Sequence, residues 1–173
     1  MTKNKILISI GILLVVSLVI ILNTKKVMNT YQYPEKMPTD FNFIAKINEN
    51  EYSINTYNNT FSKTINFGKD TIISFKISNN EKKRIYNLIK EYNIIKYPNY
   101  FTPPTYIIKS PSFDYYFKCT FDSINVEINW EFNTESEEKD ATNLRNFLLQ
   151  IFANILEDKR IKDLQESDTS FIM

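Results

Sequence analysis

The chain has 173 residues, 43% of them apolar, which is enough for one domain with a hydrophobic core plus an appendage. Four of the 21 Lys/Arg and none of the 20 Asp/Glu precede Val27, leaving 17 basic against 20 acidic residues; a net of −3 offers no basic footprint for a nucleic-acid backbone. With no histidine, His-based triads, His-ligated zinc and imidazole pH switches are excluded, and the single Cys119 cannot form an intrachain disulfide.

Asn, Ile, Lys, Tyr and Phe are abundant, whereas Gly (two) and Ala (three) are scarce. AT-rich codons encode the first set and GC-rich codons the second. The bias is the signature of an AT-rich bacterial genome, and part of the 14% aromatic content follows from it.

Residues 1–5 form a short basic tail. Ile6 to Leu22, ILISIGILLVVSLVIIL, is an uncharged apolar run with Lys3 and Lys5 before it and Lys25 and Lys26 after it. As a helix rising ~1.5 Å per residue it spans roughly 25 Å, the short end for a ~30 Å hydrocarbon core, and lysines at its ends can snorkel across the shortfall. No A-x-A-like cleavage site follows Leu22, so the expectation is an uncleaved single-pass anchor in the lipid bilayer rather than a signal peptide. Lysines are balanced on the two sides. The short leading tail and long following segment predict that the C-terminal domain lies outside the cytoplasm. Residues 23–40 carry two prolines and no periodicity, a spacer between bilayer and domain.

The predicted domain covers residues 41–164. Phe41, Phe43, Ala45 and Ile47 alternate along a first strand. Tyr52 to Ile65 reads as a hairpin turning at Asn58-Asn59, since asparagine tolerates the positive φ such turns need. Asp70 to Ile77 is a further strand. Ser78-Asn79-Asn80-Glu81 is a capping box that opens a helix with Ile85, Leu88, Ile89 and Tyr92 on one stripe, and Pro98 stops it.

The segment FDYYFKCTFDSINVEINWEF, Phe113 to Phe132, holds seven aromatic residues, the only tryptophan and the only cysteine. A two-residue turn at Asp122-Ser123 aligns Phe121 with Ile124, Cys119 with Val126, Phe117 with Ile128, Tyr115 with Trp130, and Phe113 with Phe132. All ten share one face. The opposite face pairs Thr120 with Asn125, Lys118 with Glu127, Tyr116 with Asn129, and Asp114 with Glu131. Six aromatic side chains at ~150–250 Å² each exceed the ~300–600 Å² of a monomer's usual largest apolar patch, so the aromatic face is predicted to be core. Cys119 is then an inert buried thiol.

Thr134-Glu135-Ser136-Glu137 is a second capping box. Ala141, Leu144, Leu148, Ile151 and Ile155 follow as its helix's apolar stripe, with acidic residues at the start and Lys159, Arg160 and Lys162 near the end, as the helix dipole favours. Residues 165–173 are expected to be a frayed tail.

The order strands, helix, β-hairpin, helix predicts an α+β fold, an antiparallel sheet with two helices packed on one face, preceded by a single N-terminal transmembrane helix. This order, with FKISNNEKKRIYNLIKEYNIIKYP leading through a proline-rich loop to the hairpin, resembles small uncharacterised bacterial membrane-anchored extracytoplasmic α+β domains over about Phe41 to Leu164. The resemblance implies architecture and location and brings no activity with it.

Motifs for catalysis are thin. Two glycines exclude Gly-rich phosphate loops and the G-x-S-x-G elbow, so no cofactor is expected. Ser136-Glu137-Glu138-Lys139 has S-x-x-K spacing but lacks the S-D-N and K-T-G partners, and capping accounts for Ser136. The acids at 135, 137, 138 and 140 lack the loop geometry of a calcium site. Asn58-Asn59-Thr60 is a formal glycosylation sequon, meaningless in a bacterium.

The loop YPNYFTPPTYIIKSP, Tyr97 to Pro111, is the candidate binding element. Tyr97, Tyr100, Phe101 and Tyr106, stiffened by prolines, either grip an envelope protein or glycan or close the end of the core. The functional expectation is a membrane-anchored binding or scaffolding module. The alternative is a cell-envelope hydrolase using paired carboxylates, for which Asp114 and Glu131 are the adjacent acids.

Overall fold

The computed structural model describes residues 32–47, 52–66, 69–103, 114–130 and 136–164. The chain divides into two units, Met1–Tyr33 and Pro34–Met173. Only residues 32 and 33 of the first unit are described, so the predicted anchor over 6–22 lies outside the described residues, as does the tail over 165–173. Among the described residues no helix is long and apolar enough to cross a membrane.

The second unit is α+β, with a six-stranded antiparallel sheet. Its strands are β1 (Asn42–Ile47), β2 (Tyr52–Asn55), β3 (Thr60–Asn66), β4 (Lys69–Ser74), β5 (Tyr115–Phe121) and β6 (Ile124–Trp130), ordered β4-β3-β2-β1-β5-β6. The first four strands run outward from the middle of the sheet as a meander. Helix α1 (Asn79–Glu91) carries the chain back, and the β5–β6 hairpin completes the other side of β1. Helix α2 (Lys139–Ile155) and a single turn, α3 (Lys159–Lys162), follow.

Side-chain alternation and turn chemistry determine these pairings. Asp122 and Ser123 adopt φ 44° and 66°, the left-handed pair of a tight two-residue hairpin, and the β5–β6 register is the predicted one from Tyr115↔Trp130 to Phe121↔Ile124. Phe113 and Phe132 lie outside the described residues. The β2–β3 hairpin turns over four residues, Thr56 to Asn59, with φ 54° at Asn59. Its weak alternation in sequence has a structural cause: Thr56 and Lys63 are polar residues turned inward. The Thr56 hydroxyl accepts from the Phe43 amide at 2.8 Å, and the Lys63 ammonium lies 6.0 Å from the centre of the Tyr52 ring.

Phe41, Phe43, Ala45 and Ile47 are all buried, as are Phe117, Cys119, Phe121 and Trp130 on the neighbouring hairpin. The helices cover this face. Phe147 of α2 meets Phe117 edge-on at 4.9 Å, and Tyr86 of α1 meets Phe121 at 5.6 Å and Phe41 at 5.5 Å. Such pairs add ~0.5–1.5 kcal/mol each beyond their buried area. Burial raises the pKa of the Cys119 thiol to about 12, as an inert core thiol requires. The helices are tied together by Arg84, which donates to the Gln150 carbonyl at 3.0 Å, and by Gln150, which donates to the Tyr92 hydroxyl at 2.7 Å.

The helix ends differ in how well they follow expectation. Ser78 caps α1 as predicted, its hydroxyl accepting from the Glu81 amide at 3.2 Å, while the Glu81 carboxylate turns to Arg84 at 2.6 Å. Tyr86, absent from the predicted stripe, is fully buried and widens it. Termination comes at Asn93, whose left-handed φ of 48° closes the helix before Pro98 is reached. Of the second predicted capping box, Thr134 and Glu135 lie outside the described residues. Helix α2 starts at Lys139, its flanking Glu138 makes no side-chain cap, and the buried Ser136 hydroxyl accepts from the Glu138 amide at 3.2 Å. Lys159, Arg160 and Lys162 do not lie in the last turn of α2 either. Asp158 caps the separate turn α3, bonding the Arg160 amide at 2.9 Å, and the Arg160 guanidinium lies 4.4 Å from the centre of the Phe75 ring.

Part of the predicted spacer belongs to the second unit. The Tyr86 hydroxyl donates to the Pro34 carbonyl at 2.9 Å, Lys90 donates to the Glu35 carbonyl at 3.2 Å, and the Asp40 carboxylate accepts from the Asp122 amide at 3.1 Å.

Candidate functional site

Of the predicted binding loop, residues 97–103 are described, and part of this stretch pairs with the sheet. Beyond a short helical turn at Ile94–Lys96, residues 99–101 add themselves to the free edge of β6. Asn129 donates its amide to the Asn99 carbonyl at 2.7 Å, Phe101 donates its amide to the Asn129 carbonyl at 2.8 Å, and Tyr100 pairs with Asn129 as a parallel bridge. A bridge imposes strand alternation on whatever joins it, so neighbouring side chains go to opposite faces.

That alternation sends Tyr100 and Phe101 to opposite faces. Phe101 turns to the core face and meets Trp130 edge-on at 5.1 Å. Tyr97 is buried against Phe101 at 5.4 Å and donates its hydroxyl to the Asp140 carbonyl at 2.9 Å, fastening the segment to the start of α2. Burial, with the Asp140 carboxylate adding to it, pushes the Tyr97 phenol well above its ordinary range, so it remains a donor. These two residues close the core. Tyr100 shares the face of Asn129, opposite the helices, and is 76% exposed. Tyr106 lies outside the described residues.

Tyr100 therefore stands at the end of a polar row across the open face of the sheet. The registers set Ser53 beside Lys46, Lys46 beside Tyr116, and Tyr116 beside Asn129. With strands ~4.8 Å apart, the five residues from Ser53 to Tyr100 cover roughly 19 Å. The Lys46 ammonium sits 5.3 Å from the centre of the Tyr116 ring. In the adjacent row, Lys118 faces Glu127 with 3.4 Å between charged atoms, and the Tyr116 hydroxyl donates to the other Glu127 oxygen at 3.3 Å. Burial first, then the Glu127 charge and hydrogen bond, then Tyr57, raise the Tyr116 pKa to about 12.

The arrangement supplies two tyrosine rings, two ammonium groups, one carboxylate and a set of amides and hydroxyls on one face of the sheet. That is recognition chemistry: hydrogen-bond donors and acceptors beside aromatic faces. Among the described residues no group of three or more His, Cys, Asp or Glu is arranged to hold a metal ion. Of the acids proposed as a hydrolytic pair, Asp114 is described and Glu131 lies outside the described residues.

Sequence reasoning read Tyr116 and Lys118 as outward-facing but missed their role in a continuous surface. The signal for the Tyr116–Asn129 and Lys118–Glu127 pairs was local, in the hairpin. The juxtaposition of Lys46 with Tyr116 depends on β1 pairing β5 across seventy positions, which no local pattern encodes. No protein-family model matches the chain, and no curated protein matches it.

Proposed function

We propose that this protein is a single-pass, membrane-anchored, extracytoplasmic binding module, held by a transmembrane helix over 6–22, whose ligand lies along the open face of the sheet. The anchor reading is supported by the uncharged run Ile6 to Leu22 between paired lysines. The binding reading rests on one observation: Tyr100 is bridged to Asn129 in line with Tyr116 and Lys46, and yet 76% exposed. Tyr97 and Phe101 hold that exposed ring in place from the core side. A rigid aromatic on a hydrogen-bonded platform binds at small entropic cost, which is how tyrosine serves at interfaces.

The location is tested by adding protease to intact cells: removal of the C-terminal domain is expected, and full protection reverses the topology. Binding is tested with the full chain in detergent, mixed with envelope extract. Tyr100→Ala is expected to abolish a partner that wild type captures, whereas Leu149→Ala, at an exposed position on α2, leaves it bound. Capture unchanged by Tyr100→Ala overturns the open face as the site.

A further inference from the structure

The two edges of the sheet are built differently. At the β6 edge, residues 99–101 bond to Asn129, and the neighbouring Glu127 carries a charge. Covering an edge and charging it are two of the ways proteins keep a foreign strand from joining. The β4 edge has neither. From Thr71 to Phe75 the chain reads TIISF, without proline or charge, and among the described residues nothing pairs with its outer side. Ile72 stands on the open face opposite Ser62 and is 65% exposed.

The hydrogen-bond phase decides which groups that edge presents. The Phe75 amide donates to the Asn59 carbonyl at 2.7 Å, in step with the Thr60↔Ser74 register. Bonded and non-bonded pairs alternate along an antiparallel ladder. Thr71 and Ile73 therefore bond to β3, while Ile72 and Ser74 aim their N–H and C=O groups outward. Two such strands meeting antiparallel about a two-fold axis at Ile72 satisfy one another. Each Ile72 exchanges both bonds with its twin, and Ser74 does so with position 70 of the other copy. The two exposed Ile72 side chains then cover each other, and no like charges stand opposite over residues 70–74.

We infer that β4 is an interaction surface for a second copy of this chain, the two β4 strands pairing antiparallel about Ile72 into one continuous sheet. The pairing does not rest on the binding role proposed above. Its consequence for that role is geometric. Ile72 aligns with Ser62, Ser62 with Ser53, and Ser53 with Lys46, so Ile72 closes the row that Tyr100 closes at the other end. An axis at Ile72 joins the rows of both copies end to end. A contact over residues 70–74 falls short of the ~1,200 Å² of a lasting complex, so the dimer forms only as concentration rises.

The test uses the full chain in detergent under mild oxidation, carrying Ile72→Cys or, on the opposite edge, Glu127→Cys; wild type, with its buried Cys119, is the blank. Bonded antiparallel partners lie ~5.5 Å apart at Cα, within disulfide reach. Ile72→Cys is expected to cross-link into a dimer about ten-fold faster than Glu127→Cys, because pairing raises the local concentration of the twin thiol. Equal rates overturn the inference. In sedimentation the apparent mass of wild type is expected to rise with concentration. Ile72→Lys, which sets two ammonium groups face to face, should hold it at one chain. Position 72 is exposed, so Trp130 emission should report the same fold in both. A wild type that stays monomeric at every concentration overturns the pairing. An Ile72→Lys chain that associates as wild type does also overturns it, by assigning the contact to another surface. Either result leaves the open-face site standing, since that site is tested by capture of a partner.

Discussion

The two faces of the sheet are built from the same six strands and hold different kinds of information. On the helix side, Phe43, Phe117, Phe147 and Trp130 are packed ring against ring, with Trp130 only 1% exposed. On the open side, Lys46, Tyr116, Lys118 and Glu127 meet through long, partly exposed contacts of 3.3 to 5.3 Å. The first face carries stability because apolar area removed from water accumulates with every ring. The second contributes little to stability, since charges that remain wet gain little from each other. A surface nearly neutral for folding is the one free to be shaped for binding.

The largest effect is expected from Phe117→Ala, which empties space between Phe43 and Phe147 and should cost about 3–5 kcal/mol in urea unfolding followed by Trp130 emission. A loss below about 1 kcal/mol would mean that the aromatic face is not the core. Iodide should fail to quench Trp130 in the native protein, and free quenching would break the contrast outright.

Alkaline pH comes next. The Cys119 thiol is raised by burial from its ordinary 9.0 to about 12, so the native state holds its proton where the unfolded chain has lost it. Stability from this group is full below pH 9 and falls as pH rises toward 12, by up to about 1.4 kcal/mol per unit. Cys119→Ala should flatten that slope between pH 9 and 10. Above pH 10 Tyr116, raised to about 12, steepens both curves equally. An unchanged slope would show that the thiol titrates as if exposed.

Ser78→Ala removes the cap of α1 and should cost about 1 kcal/mol, measured by thermal or urea unfolding. The smallest effect belongs to the open face. Breaking the half-exposed Lys118–Glu127 pair with Lys118→Ala should change stability by under about 0.5 kcal/mol, and added salt should erase the difference. A loss comparable to that of Ser78→Ala would make the open face structural rather than free for recognition.

Much of the fold was legible from neighbouring residues. The β5–β6 register follows from strict alternation on both sides of Asp122-Ser123, and the start of α1 follows from Ser78 and Glu81, because both depend on atoms a few positions apart. The failures share the opposite character. Helix α2 starts at Lys139, later than its sequence suggested, and Ser136 ahead of it is buried, a tertiary circumstance its own sequence does not express. The loop aromatics were read as either gripping a ligand or closing the core, and it is pairing with the edge of β6 that sends Phe101 inward and Tyr100 outward. Edge pairing is a backbone event, and backbone hydrogen bonds carry no sequence label.

The amino-acid order by itself determined which residues are oily, where the chain turns and which face of each element seeks cover, since periodicity and turn chemistry act over a few bonds. Only the tertiary structure decided what covers each face and which strands become neighbours. Lys46 meets Tyr116, and Tyr100 alone of the described candidates stays exposed, because contacts between distant segments are chosen by the packing of the whole core.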